Sequence, residues 1–213
     1  ARGGPEYVKS ALGAIAELDS SVLADVLGRA MIDLGLLSAI DHLIVPLMDE
    51  IGRGWYVGRW RVGDEHLTSS VIRTLLGTQL RAMEPEDSAS VAVAAAPSGQ
   101  EHELGALSAA LAAASAGYRV IYLGTDIPAE EIIHGVEKSG AVLVLLSVVF
   151  PGSSTIKVRR EIETLRRYLP DDSRLLLGGP SAAQFLEDDD SAPPRSAEEL
   201  YAFLTGPGFT SSA

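Results

Sequence analysis

Residues 91–105 read VAVAAAPSGQEHELG, and this stretch decides the fold. Its apolar beginning, Val91–Ala95, has the length of one strand, and a helical pattern follows from about Glu103 to Ala116. An apolar strand that leads directly into a helix is typical of a strand buried on both faces of a parallel sheet. The stretch therefore predicts the first β–α unit of a doubly wound domain.

The same alternation of strands and helices continues towards the C-terminus. The further strands are predicted at Val120–Leu123, Val142–Leu146 and Leu175–Leu177, and the helices at Ala129–Ser139, Thr155–Leu169, Ala182–Leu186 and after Ser196. The last helix begins at Ser-Ala-Glu-Glu, which has the pattern of a capping box. We predict an α/β doubly wound, Rossmann-like (flavodoxin-like) parallel sheet over residues 88–207.

Residues 1–84 have only the helical period. The four predicted helices run from Glu6 to Leu18, from Asp19-Ser20 to about Leu34, from Ser38 to Ile51 with a kink at Pro46 and a stop at Gly52 and Gly54, and onward from Gly63-Asp64. Trp55 and Trp60 fall between the third and fourth helices. Short connections between four helices predict a four-helix bundle. The charged, proline-containing segment 84–88 predicts a domain boundary.

Composition excludes several classes of function. The 213-residue chain has a net charge of −12 and no stripe of lysine and arginine, so we expect no direct contact with nucleic acid. Its longest apolar run, Ala141–Leu146, is far shorter than the ~20 residues of a membrane-spanning helix. Cysteine is absent, which excludes thiolate chemistry and disulfides and fits a cytoplasmic protein.

One histidine, His102, lies in the loop between the first strand and its helix. From such a position an imidazole can point outward, and neutral imidazole is the commonest protein ligand of transition metals. On position alone, a surface histidine at a helix start is the alternative.

Small and polar residues follow the other predicted strands. They are Gly124, Thr125 and Asp126 after the second strand, Ser147 and Val149 after the third, and Gly178 and Gly179 after the fourth. Ligands of doubly wound sheets bind at the carboxyl ends of the strands, so these residues leave room for a ligand there. A nucleotide is the competing ligand, but no Gly-x-Gly-x-x-Gly or Gly-Lys-Ser/Thr follows the first strand.

Together these positions form a motif set. It consists of Gln100-x-His102-x-x-Gly105, Ser147-x-Val149 and Gly178-Gly179. The set resembles the cobalamin-binding domains of the methionine synthase and methylmalonyl-CoA mutase type. The resemblance implies that His102 binds cobalt from below and displaces the benzimidazole tail of the cofactor. The tail would then lie in a channel lined by Gly105, Ser147, Gly178 and Gly179, hydrogen-bonded to Ser147.

Gln100 departs from that family, which has an acidic residue at this position. A carboxylate would orient His102 and raise its basicity, whereas the glutamine amide orients the ring without a charge. The neighbouring Glu101 is the alternative partner. Thr125 and Asp126 complete the predicted contacts with the cofactor.

A second motif lies in the helical half, where nine residues separate Trp55 from Glu65-His66. With PLMDEIG at residues 46–52 it resembles the light-sensing cobalamin domains of the CarH/LitR type, over residues 6–205. The resemblance implies that the bundle caps the upper face of the corrin, where Trp55 shields a 5′-deoxyadenosyl group and Glu65 bonds its ribose. His66 would take the upper cobalt position once light has broken the cobalt–carbon bond. From the residues alone, a bundle tryptophan and an exposed helix start are the alternatives.

The resemblance implies a non-enzymatic light sensor that uses adenosylcobalamin and signals through a change of oligomer or partner, with an unknown downstream effector. Family members often carry a winged-helix DNA-binding domain, so we expect a sensor part or a standalone receptor. Some relatives also bind a bilin, which without cysteine would be held non-covalently here. The alternative is a corrinoid carrier of a methyltransferase system. An isomerase fragment is disfavoured, because it lacks a substrate barrel of ~250 residues.

The remaining candidate residues are expected to be structural. His42 and His134 are predicted on helix surfaces, Asp188-Asp189-Asp190 in a solvated loop, and Tyr7, Tyr56 and Trp60 in packing positions.

Overall fold

A computed structural model describes residues 3–149, 155–187 and 194–206 of the chain. The molecule divides into two compact units, residues 1–79 and residues 80–213. The division falls near the end of a long helix, a few residues before the segment in which the sequence predicts a linker.

The first unit is helical, as predicted. Its elements are α1 (Gly4–Ala16), α2 (Ser20–Leu34), α3 (Leu36–Ala39), a π-helical turn (Ile40–Ile44), α4 (Val45–Tyr56) and α5 (Val62–Ala82), whose last residues extend into the second unit. Asp19 caps α2, because its Oδ1 accepts a hydrogen bond of 2.9 Å from the Val22 N–H. Since α3, the π turn and α4 follow one another directly, they form the third of four helices.

The third helix differs from its prediction in two ways. It does not stop at Gly52 and Gly54 but continues to Tyr56, so Trp55 lies in its last turn. Gly54 is on the buried stripe of α4, and packing there outweighs the low helix propensity of glycine. At the predicted kink, the π turn ends at Ile44, two residues before Pro46, which lacks the N–H that a regular helix would use.

The second unit is built on a parallel sheet, as predicted. Its strands are β1 (Val91–Pro97), β2 (Arg119–Ile127), β3 (Leu143–Ser147) and β4 (Arg174–Gly178), and its helices are α6 (Glu103–Ser115), α7 (Ala129–Ser139), α8 (Thr155–Tyr168), a 3₁₀ turn (Ala182–Phe185) and α9 (Ala197–Thr205). The described residues form one sheet of order β2-β1-β3-β4 in which every pair is parallel. The order reverses between β1 and β3, the point where such folds bind ligands.

The central strands form the core. β3 is buried along its whole length, and β1 is buried from Ala92 onward. The interior is completed by apolar residues of α7, α8 and the 3₁₀ turn, among them Ile132, Ile162 and Phe185.

β2 is longer than predicted. The sequence places its end at Leu123, whereas the strand continues to Ile127, so Gly124, Thr125 and Asp126 lie within it. Gly124 and Asp126 have φ angles of 95° and 56°. The pairing with β1 shifts register beside them, which is how the strand accommodates residues that a regular strand disfavours.

The start of α9 confirms the predicted cap in a modified form. Ser196 Oγ accepts a hydrogen bond of 3.1 Å from the Glu199 N–H. Glu199 in return accepts one of 2.8 Å from the Arg195 N–H, one residue earlier than in a regular capping box. Among the described residues, no helix combines the length and apolar character needed to cross a membrane.

Candidate functional site

The loop after β1 is joined to the end of β3 by the side chain of Gln100. This side chain is only 1% exposed, and its Oε1 accepts a hydrogen bond of 2.9 Å from the Val149 N–H. Its Nε2 donates to the carbonyl of Gly99 at 3.3 Å. The side chain that was expected to orient His102 therefore bonds to the backbone on the other side of the switch point.

Asp126 joins the same loop to the edge strand β2. Its Oδ1 accepts a hydrogen bond of 2.8 Å from the Gly99 N–H, and its own N–H donates to the Gln100 carbonyl at 3.0 Å. The carboxylate, predicted as a cofactor contact, thus supports the loop. Thr125, the other predicted contact on this strand, is half-buried within β2.

The segment after β4 is attached to the segment after β3 through Ser181, which the sequence did not indicate as a site residue. Ser181 Oγ donates to the Val149 carbonyl at 2.9 Å. Gly179 has a φ of 95°, and a Cβ on it would lie 2.6 Å from the Val148 carbonyl oxygen. The backbone conformation and this close approach therefore explain the glycine without any ligand. A Cβ on Gly178 would meet no atom within 4 Å, so that position borders open space. The only signal for Ser181 in the sequence is its place directly after Gly-Gly-Pro.

Ser147 has an unsatisfied hydroxyl at the end of β3. The residue is 4% exposed, and its Oγ has no hydrogen-bond partner among the described residues. Such a buried, unpaired group costs about 1–3 kcal/mol. A Cβ on Gly105 would collide with this oxygen and would lie 3.4 Å from Val149 Cγ2. The Ser147 hydroxyl therefore lies directly against the backbone of Gly105, and its unused hydrogen-bonding capacity suits a ligand that brings a polar group to this strand end.

His102 is the N-cap residue of α6, with φ −78° and ψ 104°. Its side chain makes no capping hydrogen bond and is exposed, as is that of Glu101. The described residues contain no group of three or more histidine, aspartate or glutamate side chains suited to a metal ion. One imidazole alone suits a metal whose remaining ligands come from its cofactor. The cobalt of a corrin is such a metal, because the ring nitrogens coordinate it.

The helical unit carries the other predicted residues. Trp55 is 49% exposed, and its ring meets that of Tyr56 edge-on, with 5.3 Å between the centroids. Tyr56 is 82% exposed, so the prediction that it is a packing residue is wrong. At the start of α5, Glu65 Oε2 lies 3.6 Å from His66 Nδ1, and the imidazole is 73% exposed.

The structural expectations for Trp60, His42 and His134 are confirmed, whereas Tyr7 forms a surface hydrogen bond. Tyr7 donates a hydrogen bond to Asp33 of α2, and this bond raises the pKa of the Tyr7 hydroxyl. Trp60 is partly buried, and His42 and His134 are exposed on helices. The predicted loop Asp188-Asp189-Asp190 lies outside the described residues.

Comparisons with known proteins identify relatives that match both units. Family models for the B12 binding domain match residues 8–78 and residues 90–192, one in each unit. The HTH-type transcriptional repressor CarH of Myxococcus xanthus is 32% identical over 180 residues, which cover 82% of this chain. The match covers 58% of CarH, so the chain spans less than two thirds of the length of that relative.

Two further proteins are similar over most of their length. A corrinoid protein of Desulfitobacterium hafniense (strain Y51) is 26% identical over 187 residues, covering 83% of this chain and 84% of that protein. The structure of the monomethylamine corrinoid protein of Methanosarcina barkeri matches with a TM-score of 0.71 at 17% identity, over 94% of this chain and 98% of that one. At that identity the second match supports the fold alone.

Proposed function

Since the chain belongs to the B12-binding domain family and is a cobalamin-binding protein, we propose that it is a light sensor with adenosylcobalamin as its chromophore. It has no catalytic role of its own in this proposal. The similarity to a transcriptional repressor supports a regulatory role, in which light changes the oligomer or the partner of the chain.

The sheet unit would hold the cofactor tail and the lower side of the cobalt. Ser147 offers a buried hydroxyl that has no partner in the described part of the chain, and Gly178, which pairs with Ser147 in the sheet, borders open space. His102 offers an exposed imidazole at the start of α6. Gln100 keeps the loop of His102 attached to β3, so that the imidazole and the hydroxyl stay at one edge of the sheet.

The helical unit would supply the residues on the upper side. Adenosylcobalamin contributes a cobalt–carbon bond that visible light breaks. Trp55 offers a half-exposed apolar surface that excludes water from an adenosyl group. Glu65 offers a carboxylate that accepts hydrogen bonds from ribose hydroxyls, and His66 keeps its exposed imidazole within 3.6 Å of that carboxylate.

One observation supports the sensor most strongly. Trp55 and His66 are exposed and Glu65 is partly exposed, at the end of α4 and the start of α5, instead of being buried in the helical core. A tryptophan with half its surface exposed has apolar area available for a ligand. This argues against the alternative in which Trp55 is simply a core residue of the bundle.

A corrinoid carrier is the second candidate. It is favoured by the match to 84% of the length of the Desulfitobacterium corrinoid protein. A carrier must leave the upper side of its cobalt open to partner enzymes, and a tryptophan, a carboxylate and an imidazole there would obstruct access.

The absorption spectrum of the reconstituted chain distinguishes the light sensor from the corrinoid carrier. The protein is loaded with adenosylcobalamin in darkness, and its visible spectrum is recorded before and after green light. A sensor gives a lasting new spectrum that differs from that of free, illuminated cofactor. If the spectrum after light equals that of free cofactor released into solution, the carrier is favoured.

Loading with biliverdin in a parallel sample tests the non-covalent bilin, which would add a long-wavelength band.

A further inference from the structure

The connection between α4 and α5, residues 57–61, is held by its own backbone. The Gly58 N–H donates to the Trp55 carbonyl at 3.0 Å, and the Arg59 N–H donates to the Gly54 carbonyl at 2.8 Å. With the φ of 73° at Gly58, these two bonds form a Schellman motif, which ends α4 in one defined direction.

Side chains at both ends of the connection hold it further. Arg59 Nη1 lies 2.9 Å from Glu50 Oε1, so the connection is attached to the preceding turn of α4. The Arg61 N–H donates to Asp64 Oδ2 at 2.7 Å, which caps the start of α5. The residues that precede Glu65 therefore have fixed partners on both sides.

Trp60 completes this arrangement by packing on Gly54. The buried stripe of α4 is formed by Leu47, Ile51 and Gly54, so the last position of the stripe has no side chain. A Cβ on Gly54 would lie 2.7 Å from Trp60 Nε1 and would collide with Trp60 Cδ1. The indole thus occupies the place that a side chain at position 54 would fill. Its Nε1 is buried and has no hydrogen-bond partner among the residues described.

We propose that Trp60, seated on Gly54, is a positioning residue that fixes Trp55 relative to Glu65 and His66. Gly54 directly precedes Trp55, and five residues separate Trp60 from His66, so the indole joins the two ends that carry the proposed upper-side residues. The inference rests on the proposed function, because it assigns the contact to the alignment of residues that recognise the adenosyl group.

The contact itself is tested without cofactor. The chain has two tryptophans, so in a Trp55→Phe background Trp60 is the only source of indole fluorescence. We expect Gly54→Ala to shift its emission to longer wavelength and to increase its quenching by acrylamide. The matched control is Gly52→Ala in the same helix, where a Cβ meets nothing within 4 Å. Equal emission and quenching in both variants would overturn the contact.

Positioning is tested by the preference of the chain for adenosylcobalamin over hydroxocobalamin, which lacks the adenosyl group. We expect Gly54→Ala and Trp60→Ala to reduce this preference about tenfold, equivalent to ~1.4 kcal/mol. Trp60→Phe should retain it, because the lost N–H has no partner in the described part of the chain. The double variant should be no worse than Trp60→Ala, since the methyl group added at position 54 then has no indole to displace.

Trp55→Ala separates the two hypotheses. If it lowers the preference while Gly54→Ala and Trp60→Ala do not, positioning by Trp60 is wrong and the proposed function stands. If Trp55→Ala leaves the preference unchanged, the role of Trp55 in the proposed function is wrong, and the positioning proposal fails with it. Thermal unfolding of every variant shows whether a lower preference reflects loss of folded protein.

Discussion

The side-chain oxygen of Gln100 accepts a hydrogen bond of 2.9 Å from the backbone N–H of Val149. The bond joins residues 49 positions apart and closes the gap between the loop after β1 and the end of β3. His102 follows Gln100 by two residues, and Ser147 precedes Val149 by two. The buried amide of Gln100 thus connects the two chain segments that carry His102 and Ser147, the side chains expected to bind the cofactor.

Loss of this amide should destabilise the sheet unit. Gln100→Ala leaves the Val149 N–H without its acceptor, which we expect to lower the free energy of unfolding by about 1–3 kcal/mol. Urea unfolding of the apo chain measures the change. Gln184→Ala, at an exposed glutamine, is the control and should unfold as the unmodified chain does. Equal midpoints for both variants would show that the bond contributes little.

Ser147→Ala should have opposite effects on stability and binding. The substitution removes a buried hydroxyl that has no partner in the described residues, so the apo chain should unfold at an equal or higher temperature. Its affinity for cobalamin should fall about tenfold, because the proposed hydrogen bond to the cofactor tail is lost. Differential scanning fluorimetry and a cobalamin titration measure the two quantities.

Ser173→Ala provides the contrast for that experiment. Ser173 Oγ donates to the Ala141 carbonyl at 2.7 Å, so its loss should destabilise the sheet unit and leave cobalamin affinity unchanged. If Ser147→Ala behaves as Ser173→Ala does, the hydroxyl of Ser147 is structural and the assignment to the cofactor tail is wrong.

The element types were predictable because the hydrophobic period changes at the boundary of the two halves. A 3.6-residue stripe such as Leu23, Leu27 and Ala30 indicates a helix from sequence alone, and so does a local cap such as Ser196. The positions of His102 at a helix start and Ser147 at a strand end follow from the same local patterns.

Features that depend on distant contacts were not predictable. α4 continues through Gly52 and Gly54, although glycine locally indicates a stop, and the indole of Trp60, six residues further along the chain, packs on Gly54. β2 continues past Gly124 because its pairing with β1 absorbs an irregular register. Burial of the Gln100 amide requires Val149 as partner, and no local pattern links two residues so far apart in the chain.

The helical unit should lose stability at alkaline pH. The hydrogen bond to Asp33 raises the pKa of Tyr7 above its ordinary value of 10.0, so ionisation is harder in the folded state. The stabilisation that this bond gives to the folded unit is therefore present below pH 10. It is lost as the pH rises through the pKa that Tyr7 has in the folded state.

Thermal unfolding between pH 8 and pH 11, followed by circular dichroism at about one-unit steps, measures this effect. The unfolding temperature of Tyr7→Phe should fall less over that range than that of the unmodified chain. The unfolding temperature of Tyr56→Phe, at an exposed ring, should fall as much as that of the unmodified chain. Burial raises the pKa of Tyr118 in the sheet unit, so some alkaline loss persists in every variant. Identical pH profiles for Tyr7→Phe and the unmodified chain would contradict the prediction.

His102→Ala should weaken retention of the cofactor. The imidazole is exposed and caps nothing, so its removal should leave the unfolding temperature of the apo chain unchanged. Gel filtration of the loaded protein should then show less bound cobalamin, or a bound cofactor whose spectrum indicates that its own benzimidazole remains on cobalt. Full retention with an unaltered spectrum would remove His102 from the lower position.

The most direct test of the light-sensor account is the visible spectrum of His66→Ala after illumination. The variant, the unmodified chain and His134→Ala, a control at another exposed helix histidine, are loaded with adenosylcobalamin in darkness and exposed to green light. We predict that the unmodified chain and His134→Ala reach the same final spectrum, and that His66→Ala reaches a different one. The same final spectrum in all three proteins would contradict the account.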